Sequence, residues 1–173
     1  KVVIVAKATA KAMGLWNSGN NCPAVTVTKN SNNTVSVDGS VAVLDVMAGK
    51  IAGTFAFKSS KGYLYAASSS SNYLKAEANL SENSSWSVSI VEGVATVKSQ
   101  GGNTRNWMRY NSDSGIFSCY ASGQTDICIY KLVGEYKMPP VLTVNPASIS
   151  FESAADSKTV TCTIENEVEG VNV

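Results

Sequence analysis

The chain has no histidine. That absence removes the imidazole general base and the Ser-His and Cys-His nucleophile pairs on which most hydrolytic mechanisms depend. It also removes the mixed Cys/His zinc sets, and the four cysteines, Cys22, Cys119, Cys128 and Cys162, show no paired CxxC spacing. No metal or other cofactor is therefore expected. GxGxxG and GxxxxGKS/T runs are missing, and the GG at 101–102 reads as a loop rather than a phosphate cradle. No apolar run approaches the ~20 residues of a membrane-spanning helix. The opening KVVIVAKATA has no charged region, apolar core and cleavage site in succession. It reads as starting inside a strand, so a signal or lipid-anchor segment is expected ahead of it.

Carboxylates are the catalytic groups that remain. In residues 1–137 they are Asp38, Asp45, Glu77, Glu82, Glu92, Asp113, Asp126 and Glu135, scattered among turns and strand ends. A glycosidase sets two of them about 5–9 Å apart across a cleft. Nothing in the spacing points to such a pair, and solvated turn carboxylates are the plainer reading. The chain is expected not to be an enzyme.

Charge divides the chain in two. Residues 1–137 carry 13 Lys/Arg against 8 Asp/Glu, whereas 138–173 carry one Lys against five acids, so the overall +1 is the sum of +5 and −4. Neither part has the dense basic stripe of a nucleic-acid binder. The rigid MPP at 138–140 marks the boundary. We expect one domain over 1–137 and a linker with a shorter unit over 138–173.

What the chain does have is short runs of period-2 alternation between Gly, Ser and Asn clusters, with no 3.6-residue period sustained over three turns. The fold class is all-β. Strands are expected at 2–7, 11–16, 24–29, 34–38, 41–47, 54–59, 62–67, 72–77, 85–91, 93–99, 105–110, 115–120, 126–132, 141–144, 147–151 and 158–164. Turn signals stand at DGS 38–40, SKG 60–62, EG 92–93, DSG 113–115 and SGQ 122–124. Strands up to 132 fall into three groups of ~40 residues with one four-beat order, the first group carrying an insertion around 30–40. Three such units predict a β-trefoil-like barrel, with Ile4, Phe57 and Val97 in equivalent inward positions and Leu44, Val88 and Ile129 matched on the fourth strands. A six- or eight-stranded barrel or a sandwich is the alternative.

On these residues a resemblance can be stated. The runs GYLYAASSSSNYLKAE, SSWSVSI and NTRNWMRYNSDSGIFSCYASGQTDICIYKL resemble a repeat-bearing β-module of exported Bacteroidetes surface proteins. The resemblance covers about 1–132 and implies a secreted or cell-surface location beside other domains of a larger chain. Its neighbours in that family range from surface nucleases to glycan-utilisation and adhesin-like proteins. The trefoil pattern also brings ricin-type lectins to mind, but their QxW signature is absent; the corresponding positions read SSW at 84–86 and DIC at 126–128. Residues 138–173, through LTVNPASISFESAADSKTVTCTIEN, resemble the opening of the Ig-like BACON domain. With three expected strands they form only part of a sandwich that needs about seven.

The segment richest in binding chemistry runs from Thr104 to Asp113. Alternation sends Arg105, Trp107 and Arg109 to one face of a strand and Asn106, Met108 and Tyr110 to the other. An exposed indole beside planar donors stacks on a sugar ring, so Arg105, Asn106, Trp107, Arg109, Tyr110 and Asp113 are the candidate ligand-binding residues. The alternative is that Trp107 or Met108 caps the barrel floor while the arginines solvate the rim. Trp86, followed in alternation by Val88 and Ile90, reads as core, and Tyr63, Tyr65 and Tyr73 are expected to split between barrel and rim. The serine run at 68–71 reads as a flexible hairpin tip. Cys119 and Cys128 flank ASGQTDI symmetrically, so a hairpin there would face them across a disulfide; otherwise each is a small buried apolar residue. The favoured function is a non-catalytic carbohydrate-binding or adhesive accessory module, with glycans as partners. The alternative is a structural spacer presenting neighbouring domains, including those of a surface nuclease.

Overall fold

The computed structural model describes residues 1–16, 19–133, 141–145 and 157–165. The chain forms two compact units, Lys1–Val133 and Gly134–Val173. In the first, the strands are β1 (Val2–Ala6), β2 (Lys11–Met13), β3 (Cys22–Thr26), β4 (Thr28–Lys29), β5 (Val35–Ser36), β6 (Asp45–Ala48) and β7 (Phe55–Ser59). They continue as β8 (Gly62–Ala66), β9 (Leu74–Glu77), β10 (Trp86–Val91), β11 (Val94–Ser99), β12 (Trp107–Asn111), β13 (Ile116–Tyr120) and β14 (Ile127–Lys131). The described residues include no helix. Of the second unit they show one antiparallel pair, β15 (Val141–Asn145) with β16 (Thr161–Glu165). The strand expected at 147–151 and the linker at 138–140 lie outside the described residues.

Pairing follows a repeated scheme. Long antiparallel pairs join β1 to β14, β6 to β7 and β10 to β11. Shorter hairpins join β2 to β3, β8 to β9 and β12 to β13. A single cross-pair then links the outer strands within each group: Val2 with Leu44, Phe55 with Trp86, and Ala95 with Ile127. Contacts of β11 with β12 and β13 with β3 also close a seven-stranded barrel through β2, β1 and β14, so these strands present no free edge. The segment 41–44, expected as part of a strand, is held by single bridges instead, with Val41, Ala42 and Leu44 buried.

Alternation explains the core. Ile4, Phe57 and Val97 are buried in one cluster together with Leu44, Leu64, Leu74, Trp86, Met108, Phe117 and Ile127, while Val88 and Ile129 pack partly against it. The Trp86 indole Nε1 donates to the Leu64 carbonyl oxygen at 2.9 Å, which satisfies the one polar atom the ring carries inward. The run VVIVA is apolar on both faces because β1 is covered on both. Its outward residues Val3 and Val5 join a second cluster with Ala12, Val27 and Val41, roofed by Val35 and Val37 from the 30–40 insertion. Gly62 is required where it stands, at φ 124°, since a β-carbon would lie 2.3 Å from the Glu77 carbonyl oxygen.

Of the two readings of Cys119 and Cys128, the structure has the buried, unbridged one. β13 pairs with β12 and β3, whereas β14 pairs with β1 and β11, so Cys119 lies opposite Met108 and Cys128 opposite Val5. Cys22, Cys119 and Cys128 are free, buried thiols. The turn at Gly123 and Gln124, with φ of 71° and 68°, connects strands that diverge rather than a hairpin.

Candidate functional site

The predicted binding hairpin is β12 with β13, and its alternation is as expected. Met108 and Tyr110 are buried, and Trp107 and Arg109 are half-buried on the opposite face. Tyr110 is therefore withdrawn from the candidate ligand set: it is 3% exposed and stacks on Phe117 with ring centres 5.0 Å apart. The inward row of β12 must fill the barrel interior, and Tyr110 belongs to that row.

Trp107 is the centre of the outward face. The Arg109 guanidinium lies 5.0 Å from its ring centre and the Lys98 ammonium 5.4 Å away, Lys98 being its direct cross-strand partner on β11. Arg109 forms an ion pair with Asp126, which immediately precedes β14 and follows the bridge between Tyr110 and Thr125. Asp126 is the acid the sequence reading had placed among solvated turn carboxylates. It lies 17 residues from Arg109 in the chain, and only the strand order brings the two together.

The other candidates play supporting parts. The Arg105 Nη1 donates to the Asn72 Oδ1 at 2.7 Å and ties the strand entry to the β8–β9 loop. The Asn106 Nδ2 donates to the Ser99 carbonyl oxygen at 3.2 Å. Asp113 is exposed in the β12–β13 turn, where its backbone N–H donates to the Asn111 Oδ1 at 3.0 Å. Arg105 and Asn106 thus lie at the entry to β12 and Trp107 and Arg109 within it, whereas Asp113 belongs to the turn and Tyr110 to the core.

The loop ahead of β12 is braced by residues read as a flexible tip. Ser69 Oγ accepts the Thr104 N–H at 3.1 Å and donates to the Asn103 Oδ1 at 3.2 Å. Asn103 Nδ2 in turn donates to the Ala66 carbonyl oxygen at 2.8 Å. The Ser68 hydroxyl accepts the N–H groups of Ser70 and Ser71, curling the run into a bonded turn. The serine run is accordingly a buttress for the Trp107 strand.

A second concave feature was missed. A cleft of about 540 Å³ opens between the insertion hairpin and the β10–β11 turn, lined by residues that include Lys7, Lys29, Asn33, Glu92 and Tyr130. The sequence signal was the polar insertion KNSNNTVS itself, which interrupts the first group at a place where the other two have none.

No family model matches the chain, and no curated protein matches it. Among solved structures it is similar to the GlcNAcα1-4Gal-releasing endo-β-galactosidase from Clostridium perfringens, with a TM-score of 0.53 and 13% identity. The match covers 74% of this chain and 31% of that one, so the chain spans about a third of the similar structure's length. At this identity the likeness is one of fold: an all-β architecture with a closed barrel.

Proposed function

We propose that residues 1–133 are a non-catalytic carbohydrate-binding module of β-trefoil type, belonging to an exported bacterial surface protein and followed by the start of an Ig-like domain. The carrying observation is Trp107: a half-buried indole on a strand whose other face is locked in the core, with Lys98 and Arg109 over its ring. Such a ring is rigid enough to stack on the apolar face of a sugar, while the neighbouring cations donate to hydroxyls. Support for the trefoil reading comes from the threefold recurrence of a long pair, a hairpin and a single closing bridge. From the similar galactosidase structure the proposal takes only a class of ligand, carbohydrate. Export rests on the resemblance of the 62–131 runs and of the segment after MPP.

A spacer role is the competing reading, favoured by the way the two cations crowd Trp107 and Arg105 is tied to Asn72. A glycan array covering capsular and host polysaccharides, followed by calorimetry on the hits, separates the two. A carbohydrate module binds a defined set of glycans; a stable fold that binds none supports the spacer.

A further inference from the structure

The cleft beside the insertion differs in chemistry from the Trp107 face. Its walls are Asn30, Asn33 and Thr34 from the insertion and Glu92 with Gly93 from the β10–β11 turn, and β14 contributes Tyr130. Tyr130 pairs with Val3 and packs partly against the second cluster, which puts it on the outer face of the barrel with the insertion.

Two ammonium groups are fixed here by backbone oxygens rather than by acids. Lys29 Nζ donates to the carbonyl oxygens of Ala6 and Lys7 at 2.8 and 2.7 Å, and Lys7 Nζ donates to the Glu92 carbonyl oxygen at 3.3 Å. Each ammonium has three N–H donors, so one remains on Lys29 and two on Lys7. Neither cleft lysine takes part in the ion pairs of Lys1 with Asp45 and Arg109 with Asp126. Two lysines against the single carboxylate of Glu92 leave the lining net positive.

Two left-handed turn residues frame the cleft. The described non-glycine residues at positive φ are Asn33 (60°), Glu92 (49°) and Gln124 (68°), and the first two both line the cleft. Both stand in the tight turns that frame the cleft, where left-handed backbone is what the turn requires.

We propose that this cleft is a second saccharide site, specific for a sugar that carries an anionic group: a carboxylate or a sulfate. The inference rests on the carbohydrate reading of the module and names the ligand class of a site separate from Trp107. The anionic group meets the free donors of Lys7 and Lys29, the ring lies against Tyr130, and hydroxyls reach the Asn33 amide and the Glu92 carboxylate.

The test is calorimetric titration of the full chain with three probes: an oligogalacturonate trimer, a sulfated galactan trimer and the neutral galactan trimer. At least one acidic probe should bind, weaken with added salt, and lose tenfold or more in affinity in both Lys7→Gln and Asn33→Gly. Lys61→Gln, an exposed lysine on the β7–β8 turn, should leave that affinity unchanged. Asn33→Gly suits the local φ and keeps the test independent of folding. Equal binding of neutral and acidic trimers, or acidic binding indifferent to both cleft variants, overturns the proposal. Neutral binding that is lost in Trp107→Ala, with no acidic binding, overturns the cleft site and leaves the module reading intact. Failure of all three probes together with an empty glycan array overturns both.

Discussion

Asp126 holds Arg109 against the ring of Trp107: the guanidinium pairs with the carboxylate while its carbon stands 5.0 Å from the indole centre. The Arg109 side chain is 11% exposed and that of Asp126 51%, so the pair is half in solvent and screened. Asp126→Asn should therefore cost no more than about 1 kcal/mol in urea unfolding. Its larger effect should be on glycan affinity, because Arg109 loses the contact that fixes it. A loss above about 2 kcal/mol would mean that the pair is structural rather than a positioning device.

Trp86 makes the opposite case. It is fully buried and its Nε1 donor satisfies the Leu64 carbonyl oxygen. Trp86→Ala should cost roughly 3–5 kcal/mol through the cavity it leaves. Trp86→Phe keeps an aromatic ring yet leaves that carbonyl without its donor, at roughly 1–3 kcal/mol. Chemical denaturation of both variants checks the order; a neutral Trp86→Phe would contradict the placement of the ring.

The thiols set the alkaline limit of stability. Burial pushes Cys22 and Cys119 well above the ordinary 9.0. Burial also raises Tyr120 and Tyr130 above 10.0. Groups with a raised folded pKa contribute stability that is complete below their unfolded pKa and is lost as the pH climbs toward the folded one. Unfolding free energy should thus fall from about pH 9 upward, and a Cys22→Ala/Cys119→Ala double variant should show a shallower fall. A thiol-specific reagent at pH 8 should leave both cysteines unlabelled until denaturant is added.

Glu92 occupies a left-handed conformation next to Gly93, a turn that favours Asn or Gly at its first position. Glu92→Asn should raise stability by about 1 kcal/mol, read as a higher melting temperature. If the variant melts lower, the Glu92 side chain has a structural role that the turn geometry does not show.

Much of this was legible in the sequence, and the remainder failed for identifiable reasons. Alternation alone separated Trp107 and Arg109 from Met108 and placed Trp86 in the core, since burial on a strand follows a period of two. The same rule put Tyr110 on the inward face, but its membership of an aromatic-rich run outweighed that signal in naming site residues. The partners of Asp126 and of the two cysteines were not legible because strand order, not local spacing, decides what stands opposite what: β14 turns away from β13 to meet β1. The serine run was misread for want of its partners Asn103 and Thr104, which lie more than thirty residues further on. The cleft needed the insertion, the 92–93 turn and β14 together, and no one of them signals it.

The central claim is that Trp107 is a binding residue on a stable scaffold. Its most direct test is titration of Trp107→Ala with the best ligand from the glycan array, alongside thermal denaturation of the same sample. Removing a stacked ring should cost roughly 1–3 kcal/mol of binding, about 5- to 150-fold in Kd, while a half-exposed side chain should leave the melting temperature close to that of the parent. Unchanged affinity, or a melting temperature that collapses with the substitution, would contradict the account.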